Sequence, residues 1–394
     1  MQTLGQLALD LRSLVVFRSL LHDEVVSRLL LLLESTGASP AECVQRYSDF
    51  VSALFSHGNN LTEYITRRVL CDDNLYIRQV ACGKKSEDYL QDCVNQELKK
   101  LERISKILSD EVVATLGYSG YLPKWQTGDI NLTAAFYESL RNVSTRGYGI
   151  FYDHTMFTFK DGALYPVLYP DPIRLNQLFG YEDQHNEVIR NTLALLAGKP
   201  AANVLLYGDA GTGKSSTVKA VVNEFAAKGL RLIELTKSQL HKIPAIIAQL
   251  KDNPLKFILF IDDLSFTSVG DDFNALKAVL EGSAAARATN FAIYATSNRR
   301  HLVKERFSDR EGDDILLNET IQELCSLSDR FGLSVGFYKP DKQQYLDIVL
   351  ALKTYHQIEI DDSTLFLEAE RFAAMRGGRS PRTAMQYIQQ LKNQ

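Results

Sequence analysis

Apolar positions give the chain three successive textures. From residue 1 to about 120 they recur at helical spacing. Leu4, Leu7, Leu11, Leu14, Leu21 and Val25 lie three, four and seven apart, which puts them on one helix face. Ser39-Pro40-Ala41-Glu42 reads as a helix start, with an N-cap, a proline at the first helical position and an acidic first turn. Leu90 to Leu116 predicts another long helix with Lys99, Lys100, Arg103 and Lys106 exposed. Glu97 and Glu102 are interleaved with them, so the face reads as solvated rather than as a nucleic-acid surface. Between about 120 and 172 glycine and tyrosine become frequent. Met156–Lys160, Asp161-Gly162 and Ala163–Tyr165 predict a hairpin with a tight turn. Its aromatic residues are expected to pack a small sheet rather than to stack bases. Tyr169-Pro-Asp-Pro172 reads as a stiff linker. From Pro172 to Lys339, apolar runs at 203–207, 230–235, 257–262, 290–297 and 332–338 alternate with helical segments. That alternation predicts a five-stranded parallel sheet with helices on both faces. Three helices follow, at about 341–355, 362–375 and 380–392.

The expected organisation is therefore a helical domain (1–120), a Gly- and aromatic-rich connecting region with a hairpin (121–171), an α/β domain (172–339) and a helical lid (340–394). Composition changes this little. With 45% hydrophobic and 23% charged residues over 394 positions, the chain has enough apolar material for sizeable cores. A net charge of -4 supplies no global field toward nucleic acid or acidic membrane. The five cysteines form no C-x-x-C pair, so thiols in a reducing cytoplasm are expected rather than zinc or disulfides. Arg12, Arg18 and Asp23 interrupt the apolar runs near the start, and Leu29–Leu33 is far too short to span a membrane.

The chemistry enters at Gly208-Asp209-Ala210-Gly211-Thr212-Gly213-Lys214-Ser215, a G-x-x-x-x-G-K-[ST] loop between a predicted strand and a predicted helix. Its glycines let main-chain N–H groups approach an anion closely, and the helix N-terminus adds partial positive charge. Lys214 reaches for the outer phosphates of a nucleoside triphosphate, Ser215 and Ser216 continue the cradle, and the Ser215 hydroxyl can ligate Mg²⁺. A buried run, Phe257–Ile261, then delivers Asp262, suited to holding Mg²⁺, and Asp263, suited to polarising a water. Asn298, at the end of Phe291–Ser297, can bond a terminal phosphate or that water, with Ser297 as the fallback. Arg330 precedes the fifth strand and can act on the phosphate of a neighbouring copy or pair with Asp329. Ser380-Pro381 starts the last helix and puts Arg382 in its first turn. A cation there opposes the helix dipole, which is sensible if Arg382, or Arg379 beside it, is held for an anion.

In this order the parts resemble the AAA+ ATPase module, over residues 172–394. The whole chain resembles a bacterial AAA+ family defined as a domain of unknown function. The resemblance implies ATP and Mg²⁺ as cofactors and a homo-oligomer with shared sites. It implies Walker A roles for Lys214 and Ser215, Walker B roles for Asp262 and Asp263, and sensor or finger roles for Asn298, Arg330 and Arg382. It places Phe179-Gly180, within Leu178–Gln184, near adenine. Three departures refine this. Walker B ends Asp-Asp rather than Asp-Glu, as in bacterial replication initiators that behave as nucleotide switches. Thr236–Ile243 lacks an aromatic-apolar-glycine loop for gripping polypeptide. The interval between the Walker B helix and the sensor strand is too short for an added hairpin. The expected function is ATP hydrolysis that remodels or assembles a macromolecular partner. The alternatives are an ATP-gated switch with negligible turnover and a nucleic-acid loader; a small-molecule kinase with the same loop does not need Arg330 and a terminal lid.

Overall fold

The computed structural model describes residues 3–35, 37–264, 271–280, 289–298 and 330–393. Contacts divide the chain into two compact units, Met1–Asp153 and His154–Gln394.

The first unit is helical. Leu7, Leu11, Leu14 and Val25 of the predicted stripe are buried, but the stripe does not run on one helix. Helix Leu4–Arg12 stops at Ser13, and a second helix, Glu24–Leu33, starts from the side-chain cap of Asp23. The cause of the break lies about 80 residues further along the chain. The Glu97 carboxylate, 2% exposed, accepts from Val15 N at 2.7 Å, Val16 N at 3.1 Å and Phe17 N at 3.0 Å. Three amides aimed at one carboxylate cannot also continue a helix. Glu97 is thus a structural anchor, not part of a solvated face. Three of the four basic residues are also committed within the unit, while Lys99 is exposed as expected. Lys100 donates to Ser13 Oγ (2.7 Å), Arg103 to Asp10 (3.2 Å), and Lys106 to Glu102 (3.1 Å) and Asp129 (2.7 Å). The long predicted helix ends at Ser105 and resumes as Ser109–Val113. Between the two, the carbonyl of Ile107 accepts from the buried Trp125 indole at 2.9 Å.

The second unit is a sheet of seven strands: β1 (Met156–Lys160), β2 (Ala163–Pro166), β3 (Val204–Gly208), β4 (Leu230–Leu235), β5 (Lys256–Ile261), β6 (Phe291–Ser297) and β7 (Leu333–Phe337). Their order is β2-β1-β4-β5-β6-β3-β7. All neighbours are parallel except the β1–β2 hairpin. The five expected parallel strands are present, and the hairpin extends their sheet instead of forming a separate module. β1 pairs with β4 in the register Met156↔Leu232 and Phe157↔Ile233, which buries Met156, Phe157 and Phe159. Asp161 and Gly162 both take positive φ, as a two-residue turn with the twist of its strands requires. The unit boundary therefore falls before the hairpin rather than at Pro172.

Helix Lys214–Phe225 packs on this sheet through Val218, Val221 and Val222. Helices Lys342–Tyr355, Asp362–Met375 and Pro381–Lys392 form the lid, started by side-chain caps from Asp341, Asp361 and Ser380. Tyr345, Val349, Leu365, Phe372 and Ile388 give it a core of its own.

Candidate nucleotide-binding site

β3 ends at Gly208 with φ +128°, and a Cβ there would lie 2.0 Å from the carbonyl oxygen of Phe337. Only glycine lets the chain leave the sheet this close to β7. The loop that follows holds its own shape. Thr212 Oγ1 donates to the Asp209 carbonyl at 2.8 Å, and Gly213 (φ +95°) caps the helix in the left-handed region. Lys214 is folded back under the loop. Its ammonium donates to the carbonyls of Gly208 (3.0 Å) and Asp209 (2.7 Å) and to Asn298 Oδ1 (3.2 Å). Burial pushes its pKa down, while Asp209, Asp262 and Asp263 pull it back up. Ala210 to Ser216 line a cavity of about 580 Å³, within the usual range for small-molecule sites.

The acidic wall comes from the end of β5. Asp262 Oδ1 accepts from Ser215 Oγ at 2.6 Å and from Thr296 Oγ1 at 2.5 Å. Asp263 takes φ +51°, and its carboxylate accepts from Asn298 Nδ2 at 3.0 Å. Asn298 thus bridges Lys214 and Asp263. Among the described residues no group of three or more His, Cys, Asp or Glu is placed to cage a metal. The touching pair Ser215 and Asp262 nevertheless suits Mg²⁺, which takes hard oxygen donors and is commonly held by one or two protein groups plus phosphates and water.

Away from the glycine-rich loop the cavity turns apolar, with Ile173, Leu178, Phe179, Ile348, Leu352 and Met385 on its walls. Phe179 lines the space. Gly180 does not; it sits at φ +77° where a Cβ would meet Ile348 Cδ1 at 2.9 Å, so it lets this segment pack onto the lid. His185, also on the wall, is 9% exposed. Burial pushes its pKa from 6.5 down to about 4, opposed by Glu182. Between those values the unfolded chain binds more protons than the folded one. The stability contribution is therefore complete above about pH 6.5 and is lost as the pH falls toward 4. Urea unfolding at pH 7 and pH 5 should show a loss of about 2 kcal/mol from this group, and His185→Gln should remove that part of the slope.

The arginines separate. Arg382 lines the cavity, and its main-chain N donates to Gly211 O at 3.1 Å, so the last lid helix rests directly on the loop. Arg379 is turned away. It makes a two-pronged pair with Glu370 at 2.8 and 2.6 Å and is absent from the cavity wall. Glu370, on the middle lid helix, holds both of its prongs away from the cavity. Arg330 is half-buried ahead of β7 and is not on the wall either; Asp329 lies outside the described residues. Gly208 and Asp209 shape the loop from behind. The Asp209 carboxylate accepts from Lys339 N at 2.8 Å, where the chain enters the lid.

Sequence reasoning does not single out Thr296, His185 or the lid residues Ile348, Leu352 and Met385. For Thr296 a usable signal exists, a polar residue two positions before Asn298. The apolar residues carry none, because they look like any helix core.

Residues 152–394 match the family described as "Protein of unknown function (DUF815)". The chaperone protein ClpB of Staphylococcus epidermidis is 26% identical over 215 residues, 47% of this chain and 22% of that protein. ClpB of Mycoplasma genitalium is 26% identical over 234 residues, 51% of this chain and 29% of that one. The chain thus spans less than a third of the length of these curated relatives. Among solved structures, the RuvB Holliday junction branch migration motor of Thermotoga maritima aligns at 17% identity with a TM-score of 0.39, over 56% of this chain and 65% of that one.

Proposed function

The chain belongs to the DUF815 family and carries an AAA+ module, and on that premise we propose that it binds Mg·ATP and hydrolyses it to remodel or assemble a macromolecular partner. One observation carries the reading: Lys214, the Ser215–Asp262 pair, the Asp263–Asn298 pair and Arg382 all face a single cavity with an apolar far end. Loop amides and the Lys214 ammonium hold the phosphates. Ser215 and Asp262 would hold Mg²⁺, which when bound neutralises phosphate charge. Asp263 accepts a hydrogen bond from the attacking water, whose oxygen takes the terminal phosphoryl group as ADP leaves. Asn298 keeps that carboxylate in place, and Arg382 brings lid charge to the phosphates. Such catalysis is positioning and charge neutralisation throughout.

The position of Asp263 also supports a second reading, an ATP-gated switch. Its side chain is one methylene shorter than glutamate, and Asn298 already holds one of its oxygens. Calorimetric ATP binding and phosphate release, measured on the wild type and on Asp263→Glu, test both readings. A gain of about tenfold or more in the variant favours the switch, and no gain favours the enzyme. Absence of ATP binding by the wild type rejects both.

We further assign Arg330 to the site of a neighbouring copy, where such a cation is worth roughly 10³- to 10⁵-fold in rate. Turnover per chain should rise with protein concentration in the wild type and stay low in Arg330→Ala. Equal turnover at every concentration would reject a shared site. Partner selection is assigned to the helical unit. The cations Lys100, Arg103 and Lys106 are spent on internal pairs, which gives no support to nucleic acid as that partner. No helix among the described residues is long and apolar enough to cross a membrane.

A further inference from the structure

We propose that Thr296 is a positioning residue that sets both acidic groups of the site, and through them its hold on a divalent metal. The inference rests on the ATPase reading above. The β5–β6 ladder ends at the pair Ile261↔Ala295. The next three residues after β5 are then all tied to Thr296. Its hydroxyl donates to Asp262 Oδ1 at 2.5 Å and accepts from Asp263 N at 2.9 Å, and its main-chain oxygen accepts from Leu264 N at 2.7 Å. Thr296 is 2% exposed, so water does not substitute for these bonds.

A hydroxyl has one proton to give. Here Asp262 receives it, which leaves a lone pair for the Asp263 amide. The first bond fixes the rotation of the Asp262 carboxylate. Oδ1 is occupied by Ser215, Thr296 and, at 3.2 Å, Asp263 N; among the described residues Oδ2 has no hydrogen-bond partner. The second bond holds Asp263 at φ +51°, in the left-handed region that side-chain-bearing residues rarely take. That backbone setting is what brings its carboxylate to Asn298. One hydroxyl, on the wall of the same cavity, therefore orients the metal-holding group and the water-orienting group together.

Thr296→Val keeps the branched shape and removes the hydroxyl, whereas Thr296→Ser keeps the hydroxyl. ADP affinity should be measured by calorimetry with and without Mg²⁺, alongside kcat and KM for ATP. In Thr296→Val, metal-free ADP affinity should stay within about threefold of wild type. The tightening that Mg²⁺ brings should shrink by about tenfold or more, and kcat should fall by about tenfold or more with KM little changed. Thr296→Ser should restore both to within about threefold. If the valine variant does not fold, Thr296→Ala carries the same expectation. Wild-type metal dependence and kcat in a variant lacking the hydroxyl would overturn the inference. So would an equal loss of metal-free ADP affinity, which marks a purely structural role. A wild type that takes up neither ATP nor ADP overturns the ATPase reading instead.

Discussion

Lys214→Ala will weaken ATP binding by about 10²- to 10³-fold. The lysine is 6% exposed and sits under the loop, its ammonium donating to two loop carbonyls and to Asn298. Turned to the phosphates it makes charge-assisted bonds, each worth roughly 1.5–3 kcal/mol, and alanine makes none. Losing two at the lower end of that range gives a deficit of about 3–4 kcal/mol, which converts to the stated fold-change. The fold should survive. Burial already disfavours the charged lysine, so its removal gives back part of the desolvation cost that the lost bonds offset. Calorimetry and thermal unfolding on one preparation check this. An affinity within about threefold of wild type, with the melting temperature unchanged, would remove the loop from the phosphate site.

Gly208→Ala should do the opposite, damaging the fold first and binding as a consequence. Its Cβ would stand 2.0 Å from the carbonyl oxygen of Phe337 and 2.7 Å from the carbonyl carbon. That same oxygen accepts from Asp209 N at 2.8 Å. To make room, β3 and β7 must separate, and the bond that starts the loop is lost. Overpacking against main chain and a strained positive φ together cost roughly 3 kcal/mol or more. Gly213→Ala is the comparison, since a Cβ there meets nothing within 4 Å and only the φ of +95° opposes it. It should cost about 1 kcal/mol. Urea unfolding of the two variants checks the ranking, and equal costs would show that the close approach to Phe337 does not limit this turn.

Much of this molecule is readable along the chain because its signals are local. Strand β4 is expected at 230–235 and is found at Leu230–Leu235, and the other core strands differ from expectation by a residue at one end or both. The phosphate loop needs specific residues in one short stretch, and the lid helices announce themselves by their caps and, in the last, a proline. Arg379 shows where such reading stops. Close to Arg382 it has the same charge and the same apparent purpose, yet Glu370 lies opposite it and takes both its prongs. Glu97 reads as one acid among exposed bases, and in the fold it collects the amides of Val15, Val16 and Phe17.

Element types and the chemical kit are written in the residues themselves: a cradle of amides, a lysine, a hydroxyl and acids at strand ends. Backbone periodicity and short motifs depend on neighbours a few positions apart, so no knowledge of the packing is needed to find them. Packing is needed for the rest. It joins the hairpin to the edge of the sheet, sets β3 between β6 and β7, and gives Thr296 charge of Asp262 and Asp263. Those outcomes depend on which groups from distant parts of the chain come to face one another. A donor has no preferred acceptor until packing has removed water and left a single partner within reach.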